Sequence, residues 1–254
     1  MINELKDFTY SAYIKFLKLL NKTFKIIPFC EVPRQTGSFL ILRHDIDASL
    51  ESALKMARVE NGLGIRSTYF VLFSYKFYNL LEKDSLATLR EISKLDHEIG
   101  LHYDVGTYES YGQDLKETLE NEVRLLERLL NKKVSSIACH NVSLLTHRDP
   151  LIDTAGYMNA YDPKFCENFV SDSCRAWFLK DLSRFLECNW RRGQLLIHPL
   201  LWTEDICERD VVLERLFHSI EKENEEYKSK WLRLWHESPR VKEYERLIKG
   251  YGRK

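Results

Sequence analysis

The chain has 254 residues, of which 44% are hydrophobic and 30% are charged, so it has ample apolar material for a core and does not belong to the disordered class. Lysine plus arginine number 38, as do aspartate plus glutamate, so no overall positive charge attracts nucleic acid, which we exclude as a partner. Because α/β barrels reach roughly 250 residues as single units, we expect one domain over 1–254.

The cysteines and the N-terminal sequence bear on the cellular compartment. Six cysteines are scattered without a CxxC pair and are too few to cross-link a chain of this size, which indicates reduced thiols. The N-terminal segment carries charges throughout and shows no signal-peptide pattern. No stretch has the ~18 uncharged apolar residues of a membrane span. We therefore expect a cytoplasmic protein with no transmembrane segment.

The spacing of apolar residues predicts helices and strands that alternate along the chain. An amphipathic helix is predicted at 9–22, and the last quarter of the chain, from Asp210, is predicted to be helical and heavily charged. Strands are predicted at 38–47, 66–73, 97–104, 134–140, 156–162, 168–173 and 194–199, with helices at 49–64, 83–96 and 115–133. This alternation favours a parallel sheet or a barrel, that is, the α/β fold class.

Several predicted strands end on residues that can bind a metal ion or transfer a proton. They are Asp45 and Asp47 in HDID, His102 and Asp104 in HYD, His140 in ACH, Asp172 in SDS and His198 in IHP. The carboxyl ends of parallel strands meet at one rim, and residues two apart in a strand face the same side. Mixed carboxylate and imidazole ligands suit zinc or a similar divalent ion. The sequence thus predicts a metal-dependent hydrolytic site at this rim.

Structural interpretations of the same residues stay open at this point. The HDID segment alone is also typical of a loop that caps the following helix. His140 has a second interpretation as a core histidine, whereas Pro199 marks a strand end beside His198 and favours a functional role there. His97 stands at the start of its strand, which favours a turn or structural role, and because it is five residues from His102 the two are predicted to face opposite sides. Trp177 and Trp202 either fill the core or stack on a sugar.

In order along the chain, LRHDID, HEIGLHYD, ACHN, SDSCRAW and QLLIHPLLW resemble the polysaccharide deacetylase family. The resemblance spans residues 38 to 203 and is greatest to the divergent branch with an HDxD segment, which is associated with bacterial surface-polysaccharide synthesis. It implies an irregular (β/α) barrel of about seven strands with its core at about 38–203, to which the predicted helices at 9–22 and from Asp210 are additions at the two termini. It also implies a divalent metal, with zinc as the first choice, and hydrolysis of acetyl groups on sugars.

The resemblance assigns roles to individual residues of this sequence. Asp45 corresponds to the catalytic base, Asp47 to the metal-binding aspartate, His102 to the first histidine of an HxxxH pair and His198 to the general acid. The roles of the two aspartates could be exchanged, because Ile46 separates residues that are adjacent in standard members. The remaining candidates, which we assign to substrate binding, are Arg43, Asp104, Asp172, Arg175, Trp177 and Trp202.

One departure from the family pattern concerns the metal ligands. Gly106 stands where the second histidine of the HxxxH pair is expected. We therefore predict His140 as the replacement ligand, because it ends the next strand, with Asp104 as the alternative.

The sequence thus predicts a metal-dependent hydrolase that removes an acetyl group from an N-acetylated sugar of a bacterial surface polysaccharide or its precursor. Its partner is an acetylated glycan or sugar precursor, and its cofactor is a divalent metal ion, Zn²⁺ in the first instance. Two alternatives remain at this stage. One is a catalytically inactive glycan-binding barrel, and the other is a metal-dependent amidohydrolase that acts on a non-sugar substrate.

Overall fold

The computed structural model describes residues 5, 7–73, 75–110, 112, 114–141, 156–173, 175–188 and 190–251, without the side chains of 176, 177 and 249–251. The chain divides into two compact units, Met1–Cys207 and Glu208–Lys254. All strands of the described residues belong to the first unit, and the second consists of helices. The single domain over 1–254 stays a prediction.

The first unit is built around one parallel sheet. Its strands are β1 (Ile26–Ile27), β2 (Phe39–Ile46), β3 (Thr68–Val71), β4 (Glu98–Tyr103), β5 (Ser136–Cys139), β6 (Met158–Asn159), β7 (Asn168–Ser171) and β8 (Arg192–Ile197). The main path has the order β6-β5-β4-β3-β2-β8-β7, and β1 pairs with β2 beside it. Every pairing is parallel. The seven strands of the path form a curled half-barrel, which confirms the predicted irregular (β/α) barrel.

Helices surround this sheet and also form the second unit. They are α1 (Tyr10–Thr23), α2 (Leu50–Gly62), α3 (Lys83–Lys94), α4 (Val105–Ser110), α5 (Leu115–Leu130), α6 (Arg175–Glu187), α7 (Arg209–Glu237) and α8 (Pro239–Tyr251). Side chains cap three of them at the N-terminus, where Thr9, Ser49 and Asp114 accept backbone N–H groups of α1, α2 and α5. The predicted helix at 9–22 and the helical last quarter are thus observed. None of the helices in the described ranges is long and apolar enough to cross a membrane.

The concave and convex faces of the sheet differ in chemistry. On the convex face, apolar side chains such as Leu101 and Ile137 pack with those of the surrounding helices. On the concave face Phe70 and Ala138 pack together with residues of the 3₁₀ segment Phe29–Arg34. Gly100 makes this packing possible, because a Cβ atom there would lie 2.4 Å from Cε1 of Phe70. Side chains at alternate positions of each strand therefore line the interior of the half-barrel, from the start of the strand to its carboxyl end.

A buried polar cluster joins the convex face of the sheet to α1 and α2. Glu60 of α2 is fully buried, and its carboxylate accepts hydrogen bonds from the hydroxyl groups of Tyr13, Ser67 and Tyr69. Nε2 of His44 lies 2.7 Å from Oε1 of Glu60. Burial alone would raise the pKa of Glu60, but His44 and the hydrogen bonds outweigh it and lower the pKa to about 2. The cluster keeps a carboxylate in the core without an unpaired charge.

His97 belongs to the same buried cluster and does not lie at the rim formed by the carboxyl ends of the strands. Its Nδ1 atom lies 2.9 Å from Oγ of Ser67, and its Nε2 atom lies 3.0 Å from the carbonyl oxygen of Ala57. His102, five residues later, projects to the concave face, where it approaches Asp45 and Asp47. The two histidines thus face opposite sides of the sheet, as predicted from the two-residue period of a strand.

Candidate metal centre

The carboxyl ends of the parallel strands bring the predicted site residues together at one rim. Asp45 lies near the end of β2 and His102 near the end of β4, and the other residues directly follow their strands. Those that directly follow are Asp47 after β2, His140 after β5, Asp172 after β7 and His198 after β8. The parallel topology therefore collects residues that are far apart in sequence, as expected for α/β folds.

Asp47, His102 and His140 form a candidate metal centre. One ligand atom from each lies within 4.8 Å of those of the other two. Nδ1 of His102 lies 2.8 Å from the carbonyl oxygen of Ala138, so this nitrogen donates its hydrogen and leaves the Nε2 lone pair for a cation. The rings of His102 and His140 meet edge to face, with centroids 5.1 Å apart. Two imidazoles and a carboxylate match the three-ligand pattern of catalytic zinc sites.

The hydrogen bonding of Asp47 supplies the test of whether these residues fit a metal ion. Its Oδ1 atom is buried and has no hydrogen-bond partner among the described residues. The same atom lies 3.4 Å from Nε2 of His102. A buried carboxylate oxygen that faces an imidazole lone pair is unfavourable unless a cation or proton lies between them. The residues therefore fit a divalent ion.

The pKa values of the two histidines differ because their surroundings differ. Burial alone would lower the pKa of His102, but the carboxylates of Asp45 and Asp47 outweigh it and raise the pKa. Burial lowers the pKa of His140, and the neighbouring His102 lowers it further. The carboxylates thus favour the charged form of His102, whereas burial favours the neutral form of His140, which is the form that binds a metal ion.

Asp45 is held in place by the residue two positions before it. The guanidinium group of Arg43 donates two hydrogen bonds to its carboxylate, at 2.8 Å from Nε and 2.7 Å from Nη2. Burial alone would raise the pKa of Asp45, but Arg43 and His102 outweigh it and lower the pKa to about 2. Oδ2 of Asp45 lies 3.6 Å from Nε2 of His102. Asp45 is therefore ionised and fixed beside the candidate metal centre.

Arg43 itself does not fit the substrate-binding role that we predicted. It is fully buried inside the barrel, and its charge is used on Asp45. Its Nη2 atom also donates to the hydroxyl group of Tyr161, whose ring lies 4.6 Å from the guanidinium carbon. Arg43 is buried because it lies two residues before Asp45 in the same strand and therefore shares its face, which lines the buried interior.

His198 lies on the other side of Asp47 and is paired with Asp172. Nδ1 of His198 lies 2.6 Å from Oδ1 of Asp172, and Nε2 lies 3.8 Å from Oδ2 of Asp47. Burial alone would lower the pKa of His198, but Asp172 outweighs it and raises the pKa to about 9. A histidine of this kind is protonated at neutral pH and can donate a proton through Nε2.

Asp172 and Trp202 are buried side chains that contact each other beside His198. Asp172 is fully buried, and the indole Nε1 of Trp202 donates to its Oδ2 at 2.8 Å. Trp202 is 1% exposed, and its ring packs on Phe8 and Tyr13 with centroids 5.0 Å away. The core interpretation of Trp202 therefore fits the structure, and the stacking on a sugar does not.

Arg175 and Trp177 were also predicted to bind the substrate. The guanidinium group of Arg175 donates to the carbonyl oxygens of Leu201 and Cys207 and lies over the ring of Phe8. These contacts tie α6 to the segment after β8, which is a structural role and not the predicted one. The side chain of Trp177 lies outside the described residues.

Asp104, the alternative metal ligand, already accepts hydrogen bonds from residues in the first turn of α4. Its Oδ1 atom accepts the backbone N–H of Gly106 at 3.0 Å, and its Oδ2 atom accepts the hydroxyl group of Thr107 at 3.2 Å. It still lies at the rim, because Oδ2 is 3.6 Å from Nδ1 of His140. These contacts favour His140 over Asp104 as the third ligand.

A cleft of about 430 Å³ opens beside His102 and contains residues that sequence reasoning missed. Tyr75 lines it and meets the ring of His140 edge to face, with centroids 5.1 Å apart. Glu122 of α5 also lines it and accepts a hydrogen bond from Tyr108, and burial raises the pKa of Glu122 to about 7. For Tyr75, the only feature of the sequence that indicates a site residue is its position after β3, at the same rim. For Glu122 the sequence gives no such indication, because Glu122 lies on a helix and not at a strand end.

Comparisons with known proteins complete the description. No protein-family model matches the chain, and a comparison with curated protein sequences finds no match. Among solved structures, the chain is similar to a CE4 family pseudoenzyme from Bacillus anthracis, with 16% identity and a TM-score of 0.47. It is also similar to the peptidoglycan deacetylase PdaC from Bacillus subtilis (15%, 0.45) and to the chitin deacetylase from the fungal pathogen Colletotrichum lindemuthianum (14%, 0.43).

These similarities cover most of this chain but differ in how much of the other chain they include. The match covers 72% of this chain and 62% of the pseudoenzyme, so the chain spans less than two thirds of that protein's length. It covers 78% of this chain and 96% of PdaC, and 76% of this chain and 86% of the chitin deacetylase. Because the identities are this low and the TM-scores are under 0.5, we infer function from the residues of the site alone.

Proposed function

We propose that the chain is a metal-dependent hydrolase that removes an acetyl group from an N-acetylated sugar of a bacterial surface polysaccharide or its precursor. The observation that supports this most is the convergence of Asp47, His102 and His140, with Asp45 on one side and His198 on the other. A metal position between a fixed carboxylate and a protonated histidine is what hydrolysis of an amide requires.

The ion that these three residues would hold would contribute to the reaction in two ways. When bound, a divalent ion such as zinc polarises the acetyl carbonyl as a Lewis acid and makes a water molecule more acidic. Nε2 of His102, the imidazole of His140 and the unpartnered Oδ1 of Asp47 match its preferred ligands.

The chain's own residues supply the proton transfers. Asp45 accepts the proton of the attacking water through its carboxylate, which the two hydrogen bonds from Arg43 keep in a fixed orientation. His198 donates the proton at Nε2 to the amine as the carbon–nitrogen bond breaks, and Asp172 stabilises its charged form. The separate surroundings of Asp45 and His198 thus set up one base and one acid, because their pKa values are moved in opposite directions.

The cleft beside His102 supports a sugar substrate. It offers carboxylates from Asp104 and Glu122, the amine of Lys76 and the aromatic ring of Tyr75. Sugars are bound by a mixture of polar groups that meet hydroxyls and an aromatic ring that meets their apolar face. A non-sugar amide would use fewer of these groups.

Release of acetate is the direct test. The full chain, supplied with zinc or cobalt, is incubated with N-acetylglucosamine oligomers, nucleotide-linked N-acetylated sugars and simple acetamides. We expect acetate from an acetylated sugar, and loss of at least about 100-fold in rate in Asp47→Ala, His102→Ala and Asp45→Asn. Asp181→Asn, a change at an exposed aspartate of α6, is the matched control and should retain full activity.

The outcomes distinguish the alternatives. Acetate only from simple acetamides would identify an amidohydrolase of non-sugar substrates. Binding of glycans without any acetate release, in protein shown to contain the ion, would identify an inactive glycan-binding barrel. Full activity in Asp47→Ala or His102→Ala would overturn the assignment of the metal centre.

A further inference from the structure

The second unit carries large apolar side chains that face solvent. Eight tyrosine, tryptophan, leucine and isoleucine side chains between residues 227 and 248 are each more than half exposed. They are Tyr227, Trp231, Leu232, Leu234 and Trp235 of α7, and Tyr244, Leu247 and Ile248 of α8. Exposed apolar area on this scale, including two tryptophans, marks a surface that another component covers.

These side chains lie along one side of each helix. In α7 the rings of Tyr227 and Trp231 are four residues apart and meet edge to face, with centroids 6.4 Å apart, and Trp235 follows after four more. In α8 Tyr244 and Ile248 are four residues apart, with Leu247 beside them. Residues at spacings of three and four share a helix face. Both helices are therefore amphipathic in this region.

The charge of the same region is strongly positive. From residue 228 to the end of the sequence there are nine lysines and arginines and three glutamates. Directly before it, residues 221–226 contain four glutamates and one lysine. The apolar side chains are thus interleaved with cations, whereas the preceding part of α7 is acidic. Helices with aromatic and leucine residues on one face and lysine and arginine on the other are typical of binding at a membrane surface.

A second copy of the chain fits this surface less well. Pairing of the two apolar regions with each other would bring together two strongly positive segments, which repel. Antiparallel pairing with residues 221–226 would satisfy charge, but that stretch contains no apolar side chain to cover the tryptophans. A lipid surface with anionic headgroups offers both an apolar layer and negative charge.

We propose that residues 227–251 bind the surface of an anionic lipid bilayer, with Trp231, Trp235 and Leu247 inserted at the level of the headgroups and the cations against lipid phosphates. Tryptophan suits this position because its ring is apolar and its N–H reaches polar groups. The basic side chains add attraction that salt screens. This inference does not depend on the proposed hydrolase activity.

Vesicle binding by the full-length chain tests the proposal. The protein is sedimented with phosphatidylcholine vesicles and with vesicles in which about one third of the lipid is phosphatidylglycerol. We expect binding to the anionic vesicles only, and a decrease of at least about tenfold in the partition coefficient when salt is raised. Replacing both tryptophans, Trp231→Ala and Trp235→Ala, should lower the partition coefficient for the anionic vesicles by at least about tenfold. The charge reversals Lys230→Glu and Arg233→Glu should lower it comparably.

The matched control is Leu81→Ala, which removes an apolar side chain of the first unit that is 60% exposed, and it should bind as the wild type does. Circular dichroism of each variant reports whether the helices remain folded. Three results would overturn the proposal. The first is absence of binding to anionic vesicles, and the second is a dimer in sedimentation equilibrium that dissociates in the tryptophan variant while vesicles leave the protein unbound. The third is equal binding to both vesicle types, because the cations would then contribute nothing.

Discussion

His198 and Asp172 form a hydrogen-bonded pair at the rim of the sheet, with Nδ1 of His198 2.6 Å from Oδ1 of Asp172. The same carboxylate accepts the backbone N–H of His198, at 3.0 Å for Oδ1, so it fixes both the ring and the chain that carries it. Because Asp172 is fully buried, its charge acts on the imidazole with little screening by water. The pair therefore determines both the direction and the acidity of the histidine.

Replacement of Asp172 by asparagine keeps the shape of this pair and removes its charge. We expect the pKa of His198, followed by NMR in metal-free protein, to fall from about 9 toward its ordinary value of 6.5. The rate of acetate release should fall by roughly 100-fold, because a general acid contributes about that much or more. Asp181→Asn is the control. An unchanged pKa of His198 in Asp172→Asn would show that the carboxylate does not tune it.

The same pair makes stability depend on pH. The folded pKa of His198, about 9, lies above the unfolded value of 6.5, so its contribution to the free energy of unfolding is complete below pH 6.5. It is lost as the pH rises from 6.5 through 9. Urea unfolding of metal-free protein across this range should show the decrease in the wild type and a smaller decrease in Asp172→Asn. Parallel curves for the two proteins would refute the linkage.

Arg43 is expected to be essential for the stability of the barrel. Arg43→Met leaves the carboxylate of Asp45 buried without its main partner, which costs about 3–5 kcal/mol when a buried pair is broken. Arg43→Met combined with Asp45→Leu removes both charges and should recover most of that loss in urea unfolding. Failure of the double variant to regain stability over Arg43→Met would mean that packing, and not the unpaired charge, causes the effect.

Glu122 should make the protein less stable above neutral pH. Burial raises its folded pKa to about 7 from 4.5, so its contribution is present below pH 4.5 and lost as the pH rises through 7. In Glu122→Gln this decrease in the free energy of unfolding should disappear. At pH 8 the free energy of unfolding of the variant should exceed that of the wild type by up to about 3 kcal/mol. Glu117→Gln, at an exposed position of the same helix, should follow the wild-type curve. Identical curves for Glu122→Gln and the wild type would contradict the assignment.

Much of the fold was predictable because strands and helices alternate with clear apolar periodicity. The strand 38–47 was found at Phe39–Ile46 and the strand 97–104 at Glu98–Tyr103. The predicted strand at 156–162 is reduced to Met158–Asn159. Local sequence indicates which residues are extended, but the length of a strand depends on the neighbour that pairs with it, here β5 alone among the described strands.

The candidate site was predictable to the extent that it follows strand ends. Asp47, His102 and His140 were predicted as ligands, and the structure brings their ligand atoms within 4.8 Å of one another. The direction and depth of the other side chains were not predictable, because burial is set by tertiary packing. Arg43 and Trp202 were therefore predicted to contact substrate, although both are buried and donate hydrogen bonds to Asp45 and Asp172 respectively.

Metal analysis tests the central claim most directly. Elemental mass spectrometry is applied to the wild type, His140→Ala and Asp104→Ala after zinc is supplied and excess removed. The account predicts about one divalent ion per wild-type chain, retained in Asp104→Ala and lost in His140→Ala. No bound ion in the wild type, or an ion that is kept in His140→Ala, would contradict it.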